Sequence, residues 1–378
     1  MGRKILVICG DVTAVLNRRP QLMRSFAELD SNIALICPSD SETYMDQVRE
    51  IGFDVKVIDN NKQSLNPFAD LLYFQKLKQA IADIAPDDVF VFHLKPIIHT
   101  ARACRQLGIR CHVLFAGLGF VFSNDRSFKR WLTQKVVSQT LKNSLRAANT
   151  VFFQNPDDRA TLDGMGILSQ NSNVVVVNGS GVCLDTYPRT DVREDDPVVF
   201  LLVSRILRDK GIPEYYEVAK RLKSLHGDSV KVQLLGPFDN NPNAMKRATI
   251  EQWHEEGVIE YLGVTDDVRP FLKNMSAFVL PSFYMEGTPK TILESLAIGR
   301  PIITTNSRGC RETVVDGKNG FLVEPRDVDG LFKAMNHFVE NRSSLTEMGQ
   351  RSFEMARDKY DVRKVNQEML EEMNLVHN

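Results

Sequence analysis

The sequence contains no apolar run long enough to cross a bilayer, since a spanning helix needs about 20 consecutive apolar residues. A leader pattern is also missing. MGRKILVICGD is a short apolar run that stops at Gly10, with no h-region or cleavage site, and it reads as a first strand. These two absences imply a soluble or peripheral protein. Charge of either sign is not in excess: 47 basic and 48 acidic residues leave a formal charge of −1, so no global field argues for nucleic acid as a partner. The six cysteines, Cys9, Cys37, Cys104, Cys111, Cys183 and Cys310, are scattered without a C-x-x-C. They read as buried thiols of a reducing, cytoplasmic compartment, not as disulfides or zinc ligands. A dinucleotide dehydrogenase would need G-x-G-x-x-G after the first strand. That position reads Gly10-Asp11-Val12-Thr13-Ala14-Val15, with one glycine, and the second half opens on Ser204-Arg205. With no His/Cys ligand cluster, a metal-bridged diphosphate has no obvious protein ligands. The expectation is therefore no metal and no cofactor.

What is present is alternation. At 378 residues and 43% hydrophobic content the chain can build two cores. In the first half, strand-like runs occur at Lys4–Cys9, Asn32–Cys37, Asp54–Ile58, Asp88–His93, Cys111–Phe115, Thr150–Gln154 and Asn173–Val177. Amphipathic stretches at Arg19–Leu29, Glu42–Ile51, Pro67–Ala85 and His99–Leu107 separate most of them. Tyr187–Pro197 is polar, has a proline near each end, and reads as an interdomain linker. The alternation restarts with Val198–Val203, Val230–Leu235, Val258–Tyr261, Ala277–Leu280, Pro301–Thr305 and Gly320–Val323. The fold class expected is α/β, two Rossmann-like doubly wound parallel-sheet domains facing a cleft. The domains would run 1–187 and 197–355, with a C-terminal helix over 356–378.

The organising stretch is Pro281–Arg300, PSFYMEGTPKTILESLAIGR. A buried strand, Ala277–Leu280, ends at Pro281-Ser282. A loop follows, and then a helix start with Thr288 as N-cap and Pro289 at the first helical position. Gly287 allows close backbone approach to a ligand. The N–H groups over Thr288-Pro289-Lys290-Thr291 and the helix dipole would make an anion seat. Glu286 before the helix and Glu294 about one turn into it suit sugar hydroxyls, because carboxylates accept on two oxygens. Upstream, Arg205 ends a strand and Lys210 follows five residues later, just before Gly211. Fixed cations there would stabilise a departing diphosphate in the transition state more than in the ground state.

The Glu-x7-Glu of Glu286 and Glu294, with the Arg-x4-Lys of Arg205 and Lys210, closely resembles the donor site of retaining glycosyltransferases of family GT4, which have the GT-B fold. The resemblance is strongest over Pro197–Pro325. It implies that Arg205 and Lys210 bind the donor diphosphate, Glu286 the sugar hydroxyls and Glu294 the ribose. The loops at Gly236 and Gly263 would contact the nucleobase, and NSRGCRET, Asn306–Thr313, would supply a glycine turn facing the donor, with Glu312 opening the next helix. The tail Ser343–Leu375 would cross back to the first domain.

In the first half the resemblance assigns Gly10 to the donor phosphate. Arg18, Lys95, Gly117 and Gly119 are candidates for the acceptor, with Arg19 sharing a basic helix start with Arg18. Segments Ser64–Pro67, His93–Pro96 and Ala116–Phe120 resemble the GT4 branch that extends saccharides on undecaprenyl diphosphate. The His that many relatives carry at the Gly-Leu-Gly position is absent here; His93 and His99 are the candidates for a catalytic His, and each reads more simply as a buried or helix-start histidine. Arg126–Arg146 is rich in Lys and Arg, with Phe128, Trp131, Leu132, Val136, Val137 and Leu141 at roughly helical spacing. It reads either as a core-facing helix with a solvated basic face or as a surface for an anionic membrane.

The activity implied is transfer of a hexose or N-acetylhexosamine, GalNAc or GlcNAc favoured, from a UDP-sugar to an undecaprenyl-diphosphate-linked saccharide at the inner membrane face, independent of metal. The alternatives are a GT-B epimerase or phosphorylase, or a non-catalytic nucleotide-sugar-binding partner.

Overall fold

The computed structural model describes residues 3–29, 32–39, 42–59, 67–118, 122, 128–168, 172–192, 194–195 and 197–376. The chain divides into two units, Met1–Ser180 with Arg363–Asn378, and Gly181–Val362.

The first unit is built on β1 (Ile5–Ile8), β2 (Ile33–Cys37), β3 (Asp54–Val57), β4 (Asp88–Phe92), β5 (Arg110–Phe115), β6 (Thr150–Phe153) and β7 (Asn173–Val176). They form one parallel sheet in the order β3-β2-β1-β4-β5-β6-β7. The helices are α1 (Pro20–Glu28), α2 (Glu42–Glu50), α3 (Pro67–Ile84), α4 (Leu94–Leu107), α5 (Phe128–Leu145) and α6 (Pro156–Gly164). Successive strand residues face opposite sides. Leu6 and Ile8 enter a core with Leu77 of α3, Ala101 of α4 and Leu141 of α5. Ile5 and Val7 enter the other core, with Phe26 of α1 and Val48 of α2. Burial on both faces explains the unbroken apolar strand sequences.

The second unit repeats the plan with β8 (Val198–Val203), β9 (Val230–Leu235), β10 (Glu260–Tyr261), β11 (Ala277–Leu280), β12 (Ile302–Thr305) and β13 (Gly320–Val323). Their order is β10-β9-β8-β11-β12-β13, again parallel. Its helices are α7 (Ile212–His226), α8 (Arg247–Glu255), α9 (Arg269–Asn274), α10 (Lys290–Ile298), α11 (Val328–Glu340) and α12 (Ser343–Lys359). In both sheets the strand order reverses once, between β1 and β4 and between β8 and β11. Loops at the carboxyl ends of those strands are where such sheets bind ligands.

The tail is two helices, broken at Tyr360-Asp361 before α13 (Val362–Glu372). Val365, Met369, Leu370 and Met373 complete the core around Ile5 and Val7, so the end of the chain belongs to the first unit. The described residues of the segment expected to be a linker, 187–197, fall within the second unit. Arg300, 1% exposed, donates to the carbonyls of Thr190 (2.8 Å), Met275 (2.9 Å) and Lys273 (2.8 Å) and to Thr190 Oγ1 (2.8 Å). Burial pushes its guanidinium down to about 10.

A polar cluster ties α13 to the amino edge of the first sheet. The buried Asp88 carboxylate accepts from Arg3 (2.7 Å), Arg110 (2.8 Å) and His112 (3.1 Å). His112 meets Thr150 at 3.1 Å, and Thr150 donates to the Glu372 carbonyl at 3.2 Å. Burial by itself would raise the Asp88 carboxyl. The hydrogen bond and charge of His112, then Arg3 and Arg110, overturn that and hold it below the usual carboxylate range. A depressed folded-state value gives stability that is present above the unfolded-state value and is lost as pH falls through the folded one. Asp88→Asn removes a buried carboxylate from two partly exposed arginines and His112, so it is expected to cost about 1–2 kcal/mol at neutral pH. In thermal unfolding measured across the acid range, the gap between wild type and variant should shrink as pH falls.

Candidate functional site

The site in the second unit lies where β8 and β11 end. After β8 the chain passes Ser204-Arg205, makes a 3-10 turn at Arg208–Lys210, and turns at Gly211 with φ +75°. A Cβ on Gly211 would lie 2.2 Å from the Pro281 carbonyl oxygen, so the two loops can touch only because this residue is glycine. The Asp209 carbonyl accepts the N–H groups of Phe283 (2.9 Å) and Tyr284 (3.0 Å). Arg205 and Lys210 are thereby fixed beside the loop after β11.

In that loop Glu286 forms an ion pair with Lys210, with side chains 12% and 10% exposed. Ser282 Oγ donates to Glu286 Oε1 at 3.1 Å. The Lys210 ammonium lies 5.1 Å from the Tyr284 ring centre and the Arg205 guanidinium 6.0 Å from it. Arg205 pairs with Asp239 at 2.7 Å and is about half exposed. The turn after β12 closes the back of this loop. Gly309, φ +71°, sits where a Cβ would be 1.8 Å from the Gly287 carbonyl oxygen. Cys310 is buried there, and burial followed by the nearby Glu286 charge pushes its thiol up to about 12.

The helix start differs from the expectation. Helix α10 begins at Lys290, with Pro289 as the residue before it and no side-chain cap. The N–H groups of Ile292 and Leu293 return to the Pro289 carbonyl at 3.1 and 3.3 Å. Thr288 stands one residue too early to cap, because Gly287 and Thr288 are buried in the loop packed on the β12 turn. Thr291 lies in the first turn, and Glu294 follows at 4% exposure. Glu294 Oε1 accepts from Tyr187 OH at 2.7 Å and lies 3.3 Å from Lys290 Nζ. Burial, then the Glu294 charge, raises the Tyr187 phenol, so it stays a donor. Glu312 opens only a 3-10 turn, Arg311–Thr313, not the expected helix.

Three partners were not legible in the motif: Tyr187, Ser282 and Asp239. Tyr187 carried one signal, a phenol in an otherwise polar segment. The chain's one Asp-x-Asp, Asp327–Asp329, is a helix start. Asp327 accepts the Gly330 N–H at 2.9 Å and Asp329 pairs with Arg221 at 2.6 Å. Among the described residues, no group of three or more His, Cys, Asp or Glu is arranged to hold a metal.

In the first unit, Gly10 ends the β1 run and its N–H donates to His93 Nδ1 at 3.0 Å. Arg18 ends a π-helical turn, Ala14–Arg18, and is exposed, whereas Arg19 is 5% exposed and reaches the Gly179 carbonyl (3.4 Å). Burial pushes Arg19 down to about 10. The two arginines therefore do not share a surface. Helix α4 starts at Leu94, five residues before the expected start, so Lys95 lies in its first turn, where it pairs with Asp70 at 2.7 Å. His99 packs edge-on against Tyr73 at 5.4 Å, and burial lowers its value. Gly117 follows β5 with φ +117°. Gly119, Ser64–Asn66 and Arg126 lie outside the described residues, as do the side chains of 128–133. Farther along α5, Val137 and Leu141 face the core while Val136 is 60% exposed.

These two doubly wound units, the second with an ion-paired basic and acidic loop at its strand reversal, have the build of GT-B enzymes that transfer sugars. The family model "Glycosyl transferases group 1" matches residues 185–355 and "Glycosyl transferase 4-like" matches residues 6–155. The chain is 26% identical over 341 residues to the N,N'-diacetylbacillosaminyl-diphospho-undecaprenol alpha-1,3-N-acetylgalactosaminyltransferase of Campylobacter jejuni, covering 87% of each chain. It is 25% identical to the putative colanic acid biosynthesis glycosyltransferase WcaL of Escherichia coli, covering 75% of this chain and 69% of that one. Anabaena HepE in complex with UDP and glucose superposes with a TM-score of 0.77 at 16% identity, over 99% of this chain and 100% of that one. The chain belongs to the glycosyltransferases of family GT4 and has the GT-B fold.

The Tyr187–Glu294 bond can be weighed directly. A hydrogen bond to a charged group contributes about 1.5–3 kcal/mol, and the lower part of that range fits a half-buried phenol. Tyr187→Phe should lower the urea midpoint of the second unit's unfolding, and Glu294→Gln, which keeps an acceptor oxygen, should lower it less than Glu294→Ala.

Proposed function

We propose that the protein transfers a hexose or N-acetylhexosamine, GalNAc or GlcNAc by preference, from a UDP-sugar to a saccharide carried on undecaprenyl diphosphate, with retention of the α configuration. The observation that carries this reading is the Lys210–Glu286 pair at the reversal point of the second sheet, with Arg205 beside it and Glu294 one turn into α10. The Campylobacter relative is named for an undecaprenyl-diphosphate-linked acceptor, and the Anabaena neighbour was solved with UDP; both support the substrate classes.

In the proposed reaction the bond from the sugar C1 to the β-phosphate oxygen breaks, and its electron pair stays on the phosphate. The acceptor hydroxyl oxygen bonds C1 on the same face, and its proton passes to the departing phosphate. Lys210 and Arg205 hold that phosphate, which gains charge as the sugar leaves. Arg205 exchanges Asp239 for it. Glu286, oriented by Ser282, accepts from sugar hydroxyls, and Glu294 from the ribose. Gly10, Arg18, Lys95 and Gly117 serve the donor phosphate and the acceptor. Protein cations neutralise the diphosphate, so no metal is required.

A UDP-release assay tests this. UDP-Glc, UDP-Gal, UDP-GlcNAc and UDP-GalNAc are each supplied with and without a short polyprenyl-diphosphate saccharide, in EDTA. Release that depends on the acceptor, with one donor preferred, is the expected result, and Lys210→Ala should lower it on the order of a hundredfold or more. Release without acceptor, or UDP binding with no release from any donor, would count against transfer.

A lipid-linked acceptor calls for contact with a membrane, and among the described residues no helix is long and apolar enough to cross one. We place that contact at α5, where Lys135, Lys142 and the exposed Val136 and Met165 line an open cavity of about 760 Å3. A basic rim with apolar tips suits an anionic interface. The chain should sediment with vesicles containing anionic lipid and not with neutral ones, and Lys135→Glu with Lys142→Glu should abolish the difference.

A further inference from the structure

His93 joins β4 to α4 with φ +75° and ψ 135°. A side chain with a Cβ meets steric resistance at positive φ, and this ψ lies outside even the small left-handed region. Such backbone persists only where the surroundings enforce it, and it concentrates at functional sites. Nothing in the path of the chain requires a histidine here. β1 and β4 are already paired in register up to Ile8 and Val91, and a glycine would make the same turn without strain.

The imidazole has a specific partner. Its Nδ1 accepts the Gly10 N–H at 3.0 Å, which puts the proton of the neutral ring on Nε2. The ring packs on Phe92 with centres 4.9 Å apart. The contact crosses from β4 to β1, the reversal point of the first sheet. What it holds is itself unusual. After Gly10, the Asp11 carboxylate accepts both the N–H and the hydroxyl of Thr13, at 3.1 and 2.8 Å, and a π-helical turn follows over Ala14–Arg18. Single π turns are rare and recur at functional sites. Three independent features, a strained residue, an acidic turn and a π turn, thus meet at one loop.

We propose that His93 is a positioning residue for glycosyl transfer: the strained backbone aims the imidazole, and Nδ1 fixes the Gly10–Thr13 turn against substrate. This rests on the reading that substrate meets the carboxyl edge of the first sheet. The imidazole acts through the turn, and the energy stored in the backbone is spent on its geometry rather than on the fold.

The full chain is compared as wild type, His93→Gly and His93→Asn. Glycine relieves the strain and removes the acceptor. Asparagine, like histidine, keeps a Cβ at this strained backbone, and its side-chain oxygen can accept the Gly10 N–H. Expected for His93→Gly is a Tm equal to or above wild type, with kcat lowered about tenfold to a hundredfold by the loosened geometry and KM for the UDP-sugar changed far less. His93→Asn should regain much of kcat. A Tm that falls in step with activity, or an asparagine variant no better than glycine, would overturn the assignment.

Hydrogen–deuterium exchange of the peptide carrying Gly10 reads the same claim without any transfer assay. Exchange should be slow in wild type, faster in His93→Gly and slowed again in His93→Asn. Equal exchange in all three overturns the positioning role even if transfer is found. Absent transfer with the expected exchange pattern sinks the proposed activity while leaving the grip on the turn in place.

Discussion

A lysine and a glutamate 76 residues apart in sequence share one nearly dry contact, and the second unit is arranged to make it possible. Lys210 and Glu286 arrive from loops that follow adjacent strands. Those loops touch backbone to backbone at Gly211 and Pro281, and the β12 turn supports Glu286 from behind through Gly309. Removing either partner of a buried pair leaves a charge without compensation. The pair is therefore also a store of two complementary charges. A ligand that offers an anion to the lysine and hydroxyls to the glutamate can replace it without leaving either side unmatched. A nucleotide-sugar has both groups, separated by one glycosidic bond.

The two edges of the first sheet divide the work. At the amino edge, Asp88 gathers Arg3, Arg110 and His112, and the same cluster reaches the end of α13 through Thr150. That edge closes the unit around its returning C-terminal helix. At the carboxyl edge lie Gly10, His93, Lys95 and Gly117, where backbone torsions are unusual and helices begin. Stability concentrated at one edge allows strained backbone at the other.

The strands were readable because both faces of each sheet are covered, so ILVI, VFLLV and AFVL carry no polar alternation to confuse them. The Glu286–Glu294 spacing was readable because it is set by one loop and one helix. Where reading failed, the cause was tertiary. Pro289 looked like a first helical residue, but the loop packed against Gly309 delays the helix by one position. Tyr187–Pro197 looked like a linker because it is polar, yet its polar groups are what Arg300 and Glu294 bind. Arg18 and Arg19 looked equivalent, and a π turn sends them to different environments. Local composition cannot report a partner 100 residues away.

In the second unit the tight turns at the carboxyl edge are made by glycines, Gly211, Gly236 and Gly309, each at positive φ and each pressed against another backbone. There the absent side chain is the functional property, because two loops must touch. In the first unit the end of β4, whose counterpart in the second sheet is the end of β11 at Pro281-Ser282, carries a ring that reaches across to β1. Positive φ thus has two uses in this chain, with no side chain where backbones meet and with strain where a side chain is held. A residue that resists its own backbone conformation is informative for that reason, because glycine would hold positive φ at the end of β4 at lower steric cost.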